Sequence, residues 1–92
     1  MTWQVREHKG VRKIIESAAP AVRQKYDLWV ETVRAGGPQA LRATPGFHDE
    51  ALKGAAAGLR SSRLNNRYRV IYEVHGQLLV VDVIKVTGQH DY

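Results

Sequence analysis

Residues 59–86 read LRSSRLNNRYRVIYEVHGQLLVVDVIKV. Three runs within this stretch, LRSSRLN, YRVIYEV and QLLVVDVIKV, have the composition of strands, and Asn65-Asn66 and His75-Gly76 between them are tight-turn pairs. Three strands in consecutive hairpins make an antiparallel meander. The last run is apolar at nearly every position, as expected where helices cover one sheet face and part of the other is also shielded.

Upstream, residues 38–50, PQALRATPGFHDE, place two prolines and a glycine around at most one helical turn at Gln39 to Ala43. This segment reads as a connecting loop. Before it, Val22, Tyr26, Trp29 and Val33 repeat at intervals of four, three and four, an apolar stripe of helical period. Pro20 suits the first turn of that helix and Gly36-Gly37 its end. Val11, Ile14, Ile15 and Ala18 mark a first helix, and Trp3 and Val5 alternate with polar residues in a short N-terminal strand. Tyr26, Trp29 and Trp3 sit at core-like spacing and read as packing residues.

The resulting order is β-α-α-β-β-β. The simplest burial solution is an α+β domain, residues 1–92, with two N-terminal helices packed on one face of a small, mainly antiparallel four-stranded sheet. The N-terminal strand then joins at an edge. Helices on one face leave the other open, and function is sought there.

Ninety-two residues suffice for one domain and not for two. With 43% hydrophobic and 25% charged residues the chain has ordinary globular usage, which argues against disorder. The absence of cysteine excludes disulfides, thiolate metal sites and thiol nucleophiles. No apolar run approaches the ~20 residues of a membrane span, and MTWQVREHKG lacks the apolar stretch of a secretory signal, so a cytoplasmic location is expected. The net charge of +5 favours an anionic partner.

The positive charge is densest at residues 60–69, RSSRLNNRYR, where Arg60, Arg63, Arg67 and Arg69 occur with no acid. Strand parity places Arg60 and Arg63 on opposite faces, so the four cannot share one surface without help from the turn. Arginine presents a planar fork of donors that matches phosphate oxygens, and Tyr68, Tyr72 and Asn65 are suited to stacking on or hydrogen-bonding unpaired bases. The same residues also suit a solvated edge whose cations discourage aggregation.

Residues 52–74, LKGAAAGLRSSRLNNRYRVIYEV, followed by an apolar strand and a terminal HDY, resemble the RelE/ParE superfamily of toxins from bacterial toxin–antitoxin pairs. Its members similarly join a Leu-x-Gly element, an Arg-rich strand, a strand of Tyr/His-Arg-Val/Leu-Ile/Val-Tyr pattern, and a closing strand ending near His and Tyr. The resemblance implies a type II toxin that cuts messenger RNA on the ribosome, at the 30S A site, without a cofactor. A ParE-like inhibitor of DNA gyrase without catalysis is the alternative within the same superfamily, and a noncatalytic RNA-binding homologue is a third possibility. Either toxin implies a cognate antitoxin that wraps the domain by helix-in-groove or added-strand contacts.

On this resemblance His90 and Tyr92 match the C-terminal catalytic residues of the nuclease branch, Arg69 the arginine of the RVIY-type strand, and Arg63 a basic residue of the preceding strand. Lys53 matches a lysine of some members, and Arg60, Arg67, His48 and Lys85 are the further RNA-binding candidates. Metal-free cleavage needs a base for the ribose 2′-hydroxyl, cations for the crowded phosphorane and an acid for the departing 5′-oxygen. His90 suits the acid or base, because imidazole titrates near neutrality. The carboxylate base of some members has no direct match; His48, Asp49 and Glu50 lie nearby, and the choice among them stays open. No bound metal is expected, since His48, Asp49, His90 and Asp91 lack the spacing of a preformed ligand set. The run GAAAG, 54–58, lacks the Lys-Ser/Thr of a nucleotide-binding loop and reads as a connector. His8 and His75 read as surface residues.

Overall fold

The expected meander forms, and the chain ahead of it folds back onto the last strand. In the computed structural model, which describes residues 2–88, the elements are β1 (Gln4–Glu7), α1 (Val11–Ser17), α2 (Pro20–Arg42), β2 (Glu50–Ala51), β3 (Arg60–Arg63), β4 (Arg69–His75) and β5 (Val80–Thr87). The strands lie in the order β1-β5-β4-β3-β2. The β1–β5 pair is parallel and the other three pairs are antiparallel. The N-terminal strand therefore takes an edge, as expected. The sheet has five strands rather than four, because β2 pairs with β3 through Glu50 and Ala51. Two residues are too few to show the alternation by which a strand is read.

The segment 38–50 is also more ordered than a loop. Helix α2 breaks at Gly37, whose φ of 74° and ψ of −173° belong to no helix, and then resumes through Arg42. The missing N–H of Pro38 costs nothing at the start of this second stretch, where no intrahelical acceptor awaits it. Gly37 also makes room for Trp3, whose Nε1 would lie 2.5 Å from any Cβ at that position. The Trp3 backbone N–H donates to the Arg34 carbonyl at 3.1 Å, which ties the start of β1 to the helix just before its break. A 3-10 turn at Pro45–Phe47 then buries Phe47, with the Lys25 ammonium 5.0 Å from its ring centroid.

Helices and sheet meet in one core. Tyr26, Trp29 and Val33 from α2 face Val70 and Tyr72 from β4 and Val81, Val83 and Val86 from β5. Trp29 stacks on Tyr26 at 5.9 Å and meets Tyr72 edge-on at 5.4 Å. Burying each such large side chain stabilises the fold by roughly 1.5–3 kcal/mol. The Tyr26 hydroxyl donates to Glu7 at 2.6 Å, and burial, reinforced by that carboxylate, pushes the phenol pKa up. Between the Ile71–Lys85 and Tyr72–Val83 pairs β5 carries one extra residue, a bulge that keeps Val83 and Val86 both in the core while Lys85 stays exposed. No helix among the described residues is long and apolar enough to cross a membrane.

Candidate nucleic-acid interface

Register brings the basic residues together. Arg63 pairs with Arg69, and Arg69 with Thr87, so these three form one row across β3, β4 and β5. The next row is Glu50, Ser61, Ile71 and Lys85. Both rows lie on the sheet face away from the helices, because Val70 between them and Tyr72 just beyond point into the core. The side chains of Arg63 and Lys85 make no hydrogen bond or ion pair among the described residues. Arg69 is 40% exposed, with Nη1 3.5 Å from Glu50 Oε2 and 3.5 Å from the Ser61 hydroxyl. At that separation Arg69 is steered and not spent, and its remaining donors are available to an anion. The patch thus offers three cations beside one solvent-facing carboxylate.

Arg60 goes elsewhere. As parity requires, it lies opposite Arg63, on the helix side of the sheet, and its Nε and Nη2 donate to Asp49 Oδ1 at 2.9 and 2.6 Å. Ser62 donates to Asp49 Oδ2 at 2.7 Å, and the Tyr72 hydroxyl donates to the same oxygen. The Asp49 side chain is fully buried. Burial works against the Arg60 charge, but the hydrogen bonds to Asp49 and Tyr72 prevail and its pKa is raised. Burial first, and the Asp49 hydrogen bond second, push the Tyr72 phenol up.

Of the remaining candidates, His48 is exposed, in the left-handed region at φ 45°, immediately before this network. Lys53 is exposed at the start of the 3-10 turn Gly54–Ala56. Arg67 is exposed in the β3–β4 turn, where its backbone N–H donates to Asn65 Oδ1 at 2.8 Å. His90 and Tyr92 lie outside the described residues. Glu50 and Asp49, left open in the sequence together with His48, are now separated: one carboxylate faces solvent beside Arg69 and the other is buried under four contacts. Strict alternation along 49–50 is the signal that separates them, but it carries weight only once a strand is known to run there.

At the other end of the open face, His75 Nε2 lies 2.9 Å from Asp82 and 3.2 Å from Glu73. These three side chains have the donor types of a cation site, with ligand atoms within 4.8 Å of one another. Arg6 already forks onto Asp82 at 2.8 and 3.1 Å, so the carboxylate has its counter-charge. The Arg6 hydrogen bonds hold the Asp82 carboxyl below its ordinary 3.8, with His75 adding in the same direction. His75, read as a surface residue, is thus built into an ion cluster that joins β1, β5 and β4.

By sequence, neither a protein-family profile nor a characterised relative matches the chain. Solved structures do. A chain of the archaeal RelE–RelB complex from Pyrococcus horikoshii is 24% identical, with a TM-score of 0.76 and full coverage of both chains. YafQ from E. coli is 12% identical with a TM-score of 0.74, covering 95% of this chain and 93% of its own. A chain of the YoeB–YefM complex from Staphylococcus aureus is 13% identical with a TM-score of 0.72, over 95% and 97%. At these identities the likeness is one of fold.

Proposed function

The chain has the fold of the RelE- and YoeB-type toxins, and from that premise we propose that it is the toxin of a type II toxin–antitoxin pair that cuts messenger RNA on the ribosome. The observation that carries this reading is the open-face patch, with Arg63 and Arg69 side by side and the Glu50 carboxylate against Arg69.

In this reading Arg63 and Arg69 hold the scissile phosphate, since two guanidinium forks meet both non-bridging oxygens. Glu50 takes the proton of the ribose 2′-hydroxyl, and the 2′-oxygen attacks phosphorus. The P–O5′ bond breaks, leaving a 2′,3′-cyclic phosphate, and His90 gives its proton to the departing 5′-oxygen. His90 follows Thr87, the end of the Arg63–Arg69–Thr87 row, by three residues, a reach of at most ~11 Å. Tyr92 stacks on a neighbouring base, and Lys85, Lys53, Arg67 and His48 extend the positive surface along the strand. Arg60 contributes through Asp49 rather than through RNA. So small a patch orients little RNA by itself, which is the physical reason to expect that the ribosome supplies the alignment. The protein works in the cytoplasm, where ribosomes are.

The cognate antitoxin has to cover cationic surface, and an acidic extended or helical segment does so most simply. Primer extension on ribosomes programmed with a defined message tests the enzymatic reading. The wild-type protein should cut the message, and Arg69→Ala or Glu50→Gln should each slow cutting by ~10²–10⁴-fold. An intact message with the wild-type protein, accompanied by DNA breaks in cells expressing it, would replace this reading with gyrase inhibition.

A further inference from the structure

A buried carboxylate next in sequence to a catalytic one is an expensive arrangement unless the buried group has a task. Asp49 is fully buried, and its two oxygens receive the guanidinium of Arg60 and the hydroxyls of Ser62 and Tyr72. With that set of donors the burial cost is met, and no lone pair is left for proton transfer. Asp49 is therefore not the base. What it holds is β2. That strand has only two residues, paired to Ser61 and Arg60, and the Leu52 N–H to Leu59 carbonyl bond of 2.9 Å continues the ladder by one step. It is entered through His48, a non-glycine residue at φ 45°, a conformation that persists only where its surroundings enforce it. So short an edge strand has too few backbone bonds to fix itself.

We infer that Asp49 is a positioning residue for the active site: by gathering Arg60, Ser62 and Tyr72 on the helix side of the sheet it locks β2 in register, so that Glu50, the next residue, projects from the opposite face against Arg69. The inference rests on the reading of Glu50 as the base. It also accounts for the turn of Arg60 away from the phosphate-binding face, since Arg60 is the counter-charge that permits the anchor.

The test is a double-mutant cycle in single-turnover cleavage on programmed ribosomes. Asp49→Asn retains size but cannot accept from Arg60, Ser62 and Tyr72 together, and should lower the rate constant at saturation by ~10–100-fold with little change in half-saturation. In a Glu50→Gln background the same substitution should change the rate by less than about 2-fold, because the group that Asp49 positions is already gone. Tyr72→Phe, which removes one donor and keeps the ring in the core, should show the same background dependence with a smaller effect. Equal factors in both backgrounds would mean that Asp49 merely stabilises the fold, and would overturn the inference.

Amide hydrogen exchange provides a readout that needs no enzymatic activity. Asp49→Asn should accelerate exchange at Leu52 by ~10-fold or more while Val81 and Val83 stay protected. Unchanged protection at Leu52 overturns the anchoring even if the wild-type protein cuts RNA. If Glu50→Gln cuts normally, the assignment of the base fails, and the exchange measurement alone decides whether Asp49 holds the strand.

Discussion

Asp49 and Glu50 are chemically alike, adjacent in the chain, and put to opposite uses. One backbone step turns the first into the core and the second onto the open face, and burial does the rest. The same logic governs Asp82, whose carboxylate is favoured by the Arg6 fork and held below its ordinary 3.8. A lowered carboxyl pKa means that the folded state prefers the ionised form. Asp82 therefore contributes its full stability above the ordinary value and loses it as pH falls through the lowered one. Thermal melts of the wild-type protein and Asp82→Asn should differ at neutral pH, and the difference should shrink as pH falls below the ordinary carboxyl value. A difference that does not shrink on acidification would show that the Arg6–Asp82 pair does not act through charge. Among single residues much of the candidate site's geometry was legible: Arg63 and Arg69 follow from the RSSR and RYRV runs, and parity alone sends Arg60 to the opposite face from Arg63. Which of Asp49 and Glu50 lies beside Arg69 was not, because the two carboxylates differ chiefly in where the backbone points them.

Elements were legible in proportion to their length. The stripe of Val22, Tyr26, Trp29 and Val33 gives α2 over three intervals, and the three strand runs of 59–86 give the meander. The segment 38–50 failed because its elements are five, three and two residues long, below the span at which any period can be counted. The Gly36-Gly37 pair marked the break in α2 correctly, but could not reveal that the helix resumes through Arg42. Gly37 combines a backbone conformation reserved for glycine with the close approach of the Trp3 indole. Gly37→Ala should cost about 3 kcal/mol or more in urea unfolding, from backbone strain and overpacking together. Gly58, at φ +97° with nothing within 4 Å of a built Cβ, has the strain without the clash, and Gly58→Ala should cost only about 1 kcal/mol. Equal costs at the two sites would mean that Trp3 moves aside freely and does not tie β1 to the helix.

Over the whole molecule, an edge strand at one end of the chain and a meander at the other enclose a single core and leave one sheet face open. That face is divided by charge. An ion cluster of Arg6, Asp82, His75 and Glu73 closes the β1 side, and the cations Arg63, Arg69 and Lys85 with Glu50 occupy the other. The neutralised half fastens the sheet, while the uncompensated half is where an anion gains most. Deleting residues 90–92 should remove cleavage and leave the fold in place, whereas a gyrase inhibitor would tolerate the loss. Expression of the wild-type chain alone, followed by mapping of transcript 5′ ends by primer extension, tests the proposed cleavage itself. New ends within translated reading frames, absent when Arg69→Ala is expressed to the same level, are the predicted result. Identical ends from both proteins, or none from either while growth still stops, would contradict it.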